Sequence, residues 1–339
     1  MKRKPLLTGK LDIQILRRLL QRYSRIDERV VLGPGIGEDA AAIDMGEKLF
    51  IVATDPITFA TSEIGYYSVM VNANDIVTTG AEPRWFTVNI LLPEAMGTEA
   101  LVDSIFNQIH QACEKLNISV IGGHTEITYG LDRPILVGQM MGEVQKEALI
   151  TTAGAKPGDH ILLSKGICIE GTSLIARERG GELLSKGISQ ALIERARGFL
   201  FDPGISVVQE ARLAFQAGRL HAMHDITEGG LADGLHELAM AAGVKIVVEK
   251  DHIPVYAESQ ILCEVFGLNP LGVIASGALL ITASPPQAER ILKTAQGQGM
   301  TMTKIGHIDA AGAPSVTMVT PDGYEPVPYF ERDEVTKIF

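Results

Sequence analysis

The chain has 339 residues, more than one ordinary domain needs, and its 46% apolar and 21% charged content is that of a globular protein able to build two cores. A net charge of −11 excludes broad, sequence-independent nucleic-acid binding, which needs a basic surface, but not an anionic nucleotide met by backbone N–H groups or metal ions. The scattered Cys113, Cys168 and Cys263 form no CxxC pair, so neither a zinc ribbon nor a disulfide framework is indicated.

The basic start, MKRKPLLTGKLDIQILRRLL, has the beginnings of a signal peptide, but Asp12, Gln14, Arg17 and Arg18 interrupt its apolar run. Leu11, Ile15 and Leu19 recur at helical spacing and predict an amphipathic first helix. No apolar run reaches the ~18 residues of a membrane span, so the expectation is a soluble, cytoplasmic protein that meets no membrane. A glycine-rich loop follows at 33–38. Next, 48–55 reads as a buried strand ending in an acid, and 64–80 as a helix closed by Gly80. Residues 84–92 are strand-like, and 98–116 are an amphipathic helix with Leu101, Ile105, Ile109, Ala112 and Leu116 on one face. Strand-like 118–122 leads into IGGHTEI (121–127), read as a loop, and 134–144 reads as a further strand. The stretch TTAGAKPGDHILLSKG (151–166), small and Gly/Pro-rich before a new strand, divides the chain into domains 1–150 and 151–339. Beyond it, helices are expected near 187–197, 205–217, 228–241 and 286–298, and strands at 245–249, 278–283 and 303–308. Both halves mix strands and helices in α+β or α/β order.

Two glycine segments imitate phosphate loops without matching them. GPGIGEDAA lacks the lysine and Ser/Thr of a P-loop, and in GICIEGTS (166–173) Thr172 stands where that lysine belongs. The acids say more. Asp39 follows a glycine loop, Asp55 ends a strand, Asp75 lies in the polar NAND of an otherwise apolar helix, and Asp225 follows strand-like HAMH. A carboxylate in an apolar setting needs a partner or a metal, and Mg2+ takes one or two carboxylates together with nucleotide phosphates. Singly, Asp75 and Asn72 read as hydrogen-bonding to loops and Asp55 as capping a turn; together they point to a hard-cation site.

The ordered set GEDAAAID, VATDP, VNANDIVTTGAEP, GGHTEI and HDITEGGL resembles the AIR synthetase superfamily over roughly residues 30–310. That group includes aminoimidazole ribonucleotide synthetase, thiamine-monophosphate kinase, selenophosphate synthetase and the hydrogenase maturation proteins of the HypE type, to which the match is strongest. The resemblance implies an N-terminal α+β domain that binds ATP and dimerises through a shared β-barrel, followed by a C-terminal α/β domain. It implies ATP under the glycine loop of Gly35 and Gly37, with Mg2+ bridging the phosphates. By the same resemblance Asp39, Asp55 and Asp75 are metal ligands and Asn74 belongs to the family's polar pair. Gly122, Gly123 and Thr125 approach phosphate, Gly171 and Thr172 form the second glycine segment, and Asp225 faces nucleotide or acceptor. The shared chemistry is γ-phosphoryl transfer from ATP to an amide, carbonyl or phosphate acceptor, a reaction governed by positioning and charge neutralisation. The acceptor itself, a small molecule or a protein carboxamide, is not named by any motif. A nucleotide-binding scaffold without turnover is the alternative.

Two departures stand out. HypE carries its reacting group on a terminal cysteine, whereas no cysteine follows Cys263 here, which argues against a self-acting carrier, and Cys168 in apolar LLSKGICIEG reads as core. His124 stands where relatives place aspartate, and imidazole is a poor Mg2+ ligand. Three readings of His124 remain: a general base or phosphate-contacting cation, a partner for Glu126 that passes the metal role to that carboxylate, or a structural histidine in an impaired site. A turn-stabilising role is expected for His224.

Overall fold

The computed structural model describes residue 6 and residues 8–339, and part of the basic start of the chain lies outside the described residues. Contacts gather the chain into two compact units: a smaller one of residues 27–33 and 39–149, and a larger one of residues 1–26, 34–38 and 150–339. Among the described residues no helix is long and apolar enough to cross a membrane.

The first helix, α1 (Ile13–Tyr23), starts where the Asp12 carboxylate accepts from the Gln14 and Ile15 amides, both at 3.0 Å. None of its residues is buried.

The smaller unit contains β1 (Val30–Leu32), β2 (Ala41–Asp44), β3 (Lys48–Ile57), α2 (Ile64–Thr78), β4 (Glu82–Pro93), α3 (Glu99–Leu116), β5 (Ser119–Thr128) and β6 (Ile135–Gln145). Its sheet runs β1-β2-β3-β6-β4-β5 and is open. Pairing is antiparallel except between β4 and β5, which run parallel because α3 carries the chain back between them. Every residue of α2 is buried, as its nearly unbroken apolar sequence requires, and it packs on β3, β4, β6 and α3.

The sheet of one chain is open, with β1 and β5 at its edges. One expectation changes in this unit: IGGHTEI is no loop but lies in the continuous edge strand β5, its residues 122–127 in register with Thr87–Leu92. The glycine pair that suggested a loop sits beside a register shift at Phe86/Thr87, where Gly123 adopts φ +152° and passes so close to the Val88 carbonyl that no Cβ fits.

The larger unit continues with β7 (His160–Ser164), α4 (Ile169–Glu178), α5 (Gly180–Ser185), α6 (Gln190–Gly198), α7 (Val208–Ala217), β8 (Ala222–Asp225) and α8 (Gly230–Ala242). Then come β9 (Val244–Glu249), α9 (Ala257–Phe266), β10 (Leu279–Ala283), α10 (Pro285–Gly297), β11 (Met302–Ala311), β12 (Ser315–Thr320) and β13 (Gly323–Pro326). Its sheet runs β13-β12-β9-β11-β7-β10-β8, antiparallel except for the β9–β12 pair. The central strands β7 and β10 are almost wholly buried, as their apolar runs predict, and the edge strand β8 is buried too although it ends in His224 and Asp225. The expected helices and strands of this half are present with boundaries shifted by a few residues. GICIEGTS is the exception, being the entry into α4 rather than a free loop.

Candidate functional site

In the smaller unit the acids are positioned by α2 acting on β3. Ser68, Asn72, Asp75 and Thr79 recur at steps of four and three, which aligns them along one side of the helix. Asn72 lies over β6 at Gly138, where a Cβ would overlap its amide, and Gly138 is the register partner of Asp55. The strand β2 pairs with β3 only as far as Val52. At Asp55 the Asn72 side chain supplies both missing partners: its Oδ1 accepts from the Asp55 amide at 2.9 Å and its Nδ2 donates to the Asp55 carbonyl at 3.3 Å. The same Nδ2 donates to the Ser68 carbonyl at 2.8 Å, which holds the amide rigidly. Asn72 thus anchors Asp55 through its backbone amide and carbonyl. Asn74 is fully buried, Asp75 is only 5% exposed, and Asp39 and Asp55 are half-buried.

On β5 the picture is different. Gly122, Gly123, His124, Thr125 and Glu126 are all exposed, and the His124 Nε2 lies 3.5 Å from the Glu126 carboxylate. That spacing supports the pairing of His124 with Glu126, a contact between side chains two apart on one face of the strand.

In the larger unit the HDITEGGL segment leaves β8 and enters α8, with Asp225 and His224 each 3% exposed. His224 is not in a turn: it lies inside β8, and its Nε2 meets the Glu237 carboxylate of α8 at 3.0 Å. Two other pieces of chain reach the same place. Lys10 donates to the Thr227 hydroxyl at 3.1 Å and to Glu237 at 3.5 Å. Gly37 of the glycine loop packs on the Glu237 carbonyl, where a Cβ would stand at 2.8 Å. Next to it, the Glu38 carboxylate accepts from the Thr152 and Ala153 amides at 3.2 and 3.1 Å. Burial alone would raise the Glu237 carboxyl, but Lys10 and His224 beside it prevail and lower its pKa to about 2.

The sequence-derived residues thus divide. Asp39, Asp55, Asn74, Asp75, Gly122, Gly123, His124, Thr125 and Glu126 belong to the smaller unit, and Gly35, Gly37, Gly171, Thr172 and Asp225 to the larger. Gly171 and Thr172 are engaged inside their own unit: the Gly171 amide donates to the Ile274 carbonyl at 3.1 Å, and the Thr172 hydroxyl is 2.6 Å from that of Ser259. Cys168, fully buried at the start of α4, is core. Glu237 escaped the sequence reading although the signal was there. Like Asp75, Asp233 and Glu237 interrupt an apolar helix, four residues apart.

The donor set offered by Asp39, Asp55 and Asp75 is oxygen only, which suits a hard cation. Among the described residues no three His, Cys, Asp or Glu side chains form a group able to hold a metal unaided. Oxygen donors of this kind suit Mg2+ where phosphate oxygens complete its shell.

A two-unit α+β protein with acids on an inner helix, a glycine loop and a glycine-paired helix entry is the class these features define. Residues 37–144 match the N-terminal domain, and residues 156–319 the C-terminal domain, of AIR synthase related proteins. The chain belongs to the AIR synthase related family. It is 29% identical over 301 residues to carbamoyl dehydratase HypE of Cupriavidus necator, covering 85% of this chain and 81% of that protein. It is 25% identical over 246 residues to thiamine-monophosphate kinase of Aquifex aeolicus, covering 70% and 75% respectively. The fold is that of the hydrogenase maturation protein HypE solved in complex with ATP, with a TM-score of 0.71 at 22% identity over 94% of this chain and 95% of that one.

Proposed function

We propose that this protein is an ATP- and Mg2+-dependent enzyme that activates an amide, carbonyl or phosphate acceptor by γ-phosphoryl transfer. The observation that carries this reading is the anchoring of Asp55 through its backbone by Asn72, beside the buried Asn74 and Asp75 of the same helix. Such pre-organisation is what phosphoryl transfer asks of a protein, because its catalysis rests on position and charge rather than on a nucleophile. Asp39, Asp55 and Asp75 would hold Mg2+, which supplies neutralisation of phosphate charge. Gly35, Gly37, Gly122, Gly123 and Thr125 would offer backbone and hydroxyl donors to phosphate, and Asn74 would orient its neighbours. Asp225, with His124 and Glu126, would face the transferred group or the acceptor. The HypE structure in complex with ATP and the similarity to a thiamine-monophosphate kinase support the ATP-dependent class, and a dehydratase and a kinase among the relatives leave the acceptor open. The exposed edge strand β5, with Val120, Ile121 and Ile127 half-exposed, supports a homodimer in which a second copy covers that edge.

Thermal shift and phosphate release with ATP, Mg2+ and a panel of small carboxamides test the proposal. Binding with release supports an enzyme, binding without release across the panel supports a nucleotide-dependent scaffold, and no binding at about millimolar ATP rejects both. Asp55→Asn and Asp225→Asn are each expected to weaken Mg2+-dependent ATP binding or turnover by about tenfold or more. Unchanged constants would remove that residue from the site.

A further inference from the structure

The segment after β13 lies on the entry to α8 and is pinned there at several points. One Asp333 carboxylate oxygen accepts from the Gly229 amide at 2.7 Å, and the other accepts from the Val335 amide at 2.8 Å. The Glu334 carboxylate accepts from the Asn269 amide at 2.8 Å and from Lys337 at 2.7 Å. The Phe330 ring lies flat on Gly272, where a Cβ would stand 2.8 Å from its carbons. Arg179 donates to the Ile338 carbonyl and stacks on the Phe339 ring. Asp333 and Glu334 are 5% and 4% exposed, so these carboxylates are buried parts of the structure.

What the segment holds is the glycine pair of HDITEGGL. Gly229 and Gly230 take φ +81° and +61°, two consecutive left-handed residues that an L side chain adopts only with strain. The two residues have no room for a Cβ, because Gly229 is against the Asp233 carboxylate and Gly230 against the Leu271 and Val273 carbonyls. A loop of this shape has lost much backbone entropy, and something must hold it.

We propose that Asp333 is a positioning residue for the HDITEGGL loop, its carboxylate fixing the Gly229 amide so that residues 330–338 strap the loop in the shape that presents Asp225 and Thr227. The proposal deepens the reading of Asp225 as a residue of the nucleotide site and rests on it. The strap is also sensitive to pH. Burial pushes the Asp333 carboxyl up to about 7 against its three backbone donors, Val335, Gly229 and Ile274, with Glu228 adding repulsion. Burial and Glu237 likewise push Asp233 up to about 7, opposed by Lys10 and reinforced by Asp333. Tyr329 and Cys168 also face this pair: burial and then the acids, Asp233 first, raise the Tyr329 pKa, and burial, then Cys263 and last Asp333 raise that of Cys168. Because both acids lie above their ordinary value in the folded strap, their favourable contribution is present in acid and is lost as pH rises through about 7.

Amide hydrogen exchange and ATP affinity, measured on the full chain, test this. In Asp333→Ala the amides of residues 229–231 should exchange about tenfold faster or more, with β7, β10 and the smaller unit unchanged. ATP should bind weaker by a similar factor. Asp333→Asn keeps a carbonyl acceptor and should fall between the two. The wild-type loop should lose protection as pH passes from 6 to 8, after correction for intrinsic exchange, and Asp333→Asn should flatten that change. If Asp333→Ala does not fold, Asp333→Asn at the two pH values carries the same comparison. Unchanged exchange at 229–231 overturns the strap, and faster exchange with unchanged ATP affinity overturns its positioning role. A wild-type protein that binds no ATP rejects the proposed function instead, while the exchange data still judge the strap.

Discussion

Asn72 replaces a missing strand at Asp55, and the replacement works because one residue supplies a donor and an acceptor in the geometry of a peptide group. Removing it takes from the half-buried Asp55 amide and carbonyl the hydrogen bonds that Asn72 supplies. Asn72→Ala is therefore expected to destabilise the smaller unit by about 1–3 kcal/mol in chemical denaturation, and Asn72→Asp by at least as much, since a carboxylate cannot donate to the Asp55 and Ser68 carbonyls. The polar interruption of VNANDIV marked this spot in the sequence, because an unpartnered polar group in an apolar helix is costly and so must have a purpose. Its specific purpose was not legible: Asn72 acts on Asp55 only because Gly138 leaves room, and no pattern in the chain ties those three positions together. Asp333 was less legible still. It stands in ERDEVTK, a charged stretch that reads as solvated surface, and its burial comes from residues about a hundred positions earlier.

At the level of elements, β5 was misread because glycines and polar residues usually mark loops, whereas an edge strand lacking a cover on either face tolerates both. The buried strands β7 and β10 were legible in outline because apolar runs such as ILL and LLI have one economical home, inside a sheet. If β5 is the edge through which two copies meet, Ile121→Lys should shift the protein toward monomer in sedimentation without lowering its melting temperature when measured at the lowest concentrations. An unchanged sedimentation coefficient would remove β5 from the interface. The α8 hub gives a second expectation. Glu237→Gln loses the charge that faces Lys10 and His224, and should cost about 1–3 kcal/mol in the larger unit, read from its denaturation midpoint at neutral pH.

For the molecule as a whole, the acids of the larger unit pull stability in opposite directions along the pH axis. Asp233 and Asp333, raised to about 7, favour the folded state in acid and lose that contribution as pH climbs through 7. Glu237, lowered from 4.5 to about 2, stabilises above its ordinary value and stops doing so as pH falls from there toward 2. Urea midpoints of the larger unit should therefore be highest near about pH 4, decline as pH rises to about 7 and level off above it, a profile that Asp333→Asn should flatten. A midpoint that rises from pH 6 to 8 would contradict the assignment.

The larger unit draws on residues 1–26, on 34–38 and on everything from 150 onward, with Lys10 bonded 227 positions away to Glu237. A ribosome making this chain releases residues 27–149 with all the strands of the open sheet in hand, while Lys10 and the glycine loop still lack their partners. Those two early segments must wait through the whole of the intervening synthesis, and Gly229 waits further for Asp333. The smaller unit can thus fold during translation, whereas the larger one closes only after residues 330–338 have emerged, so a pause before them would leave a chain that is half folded and half unsealed.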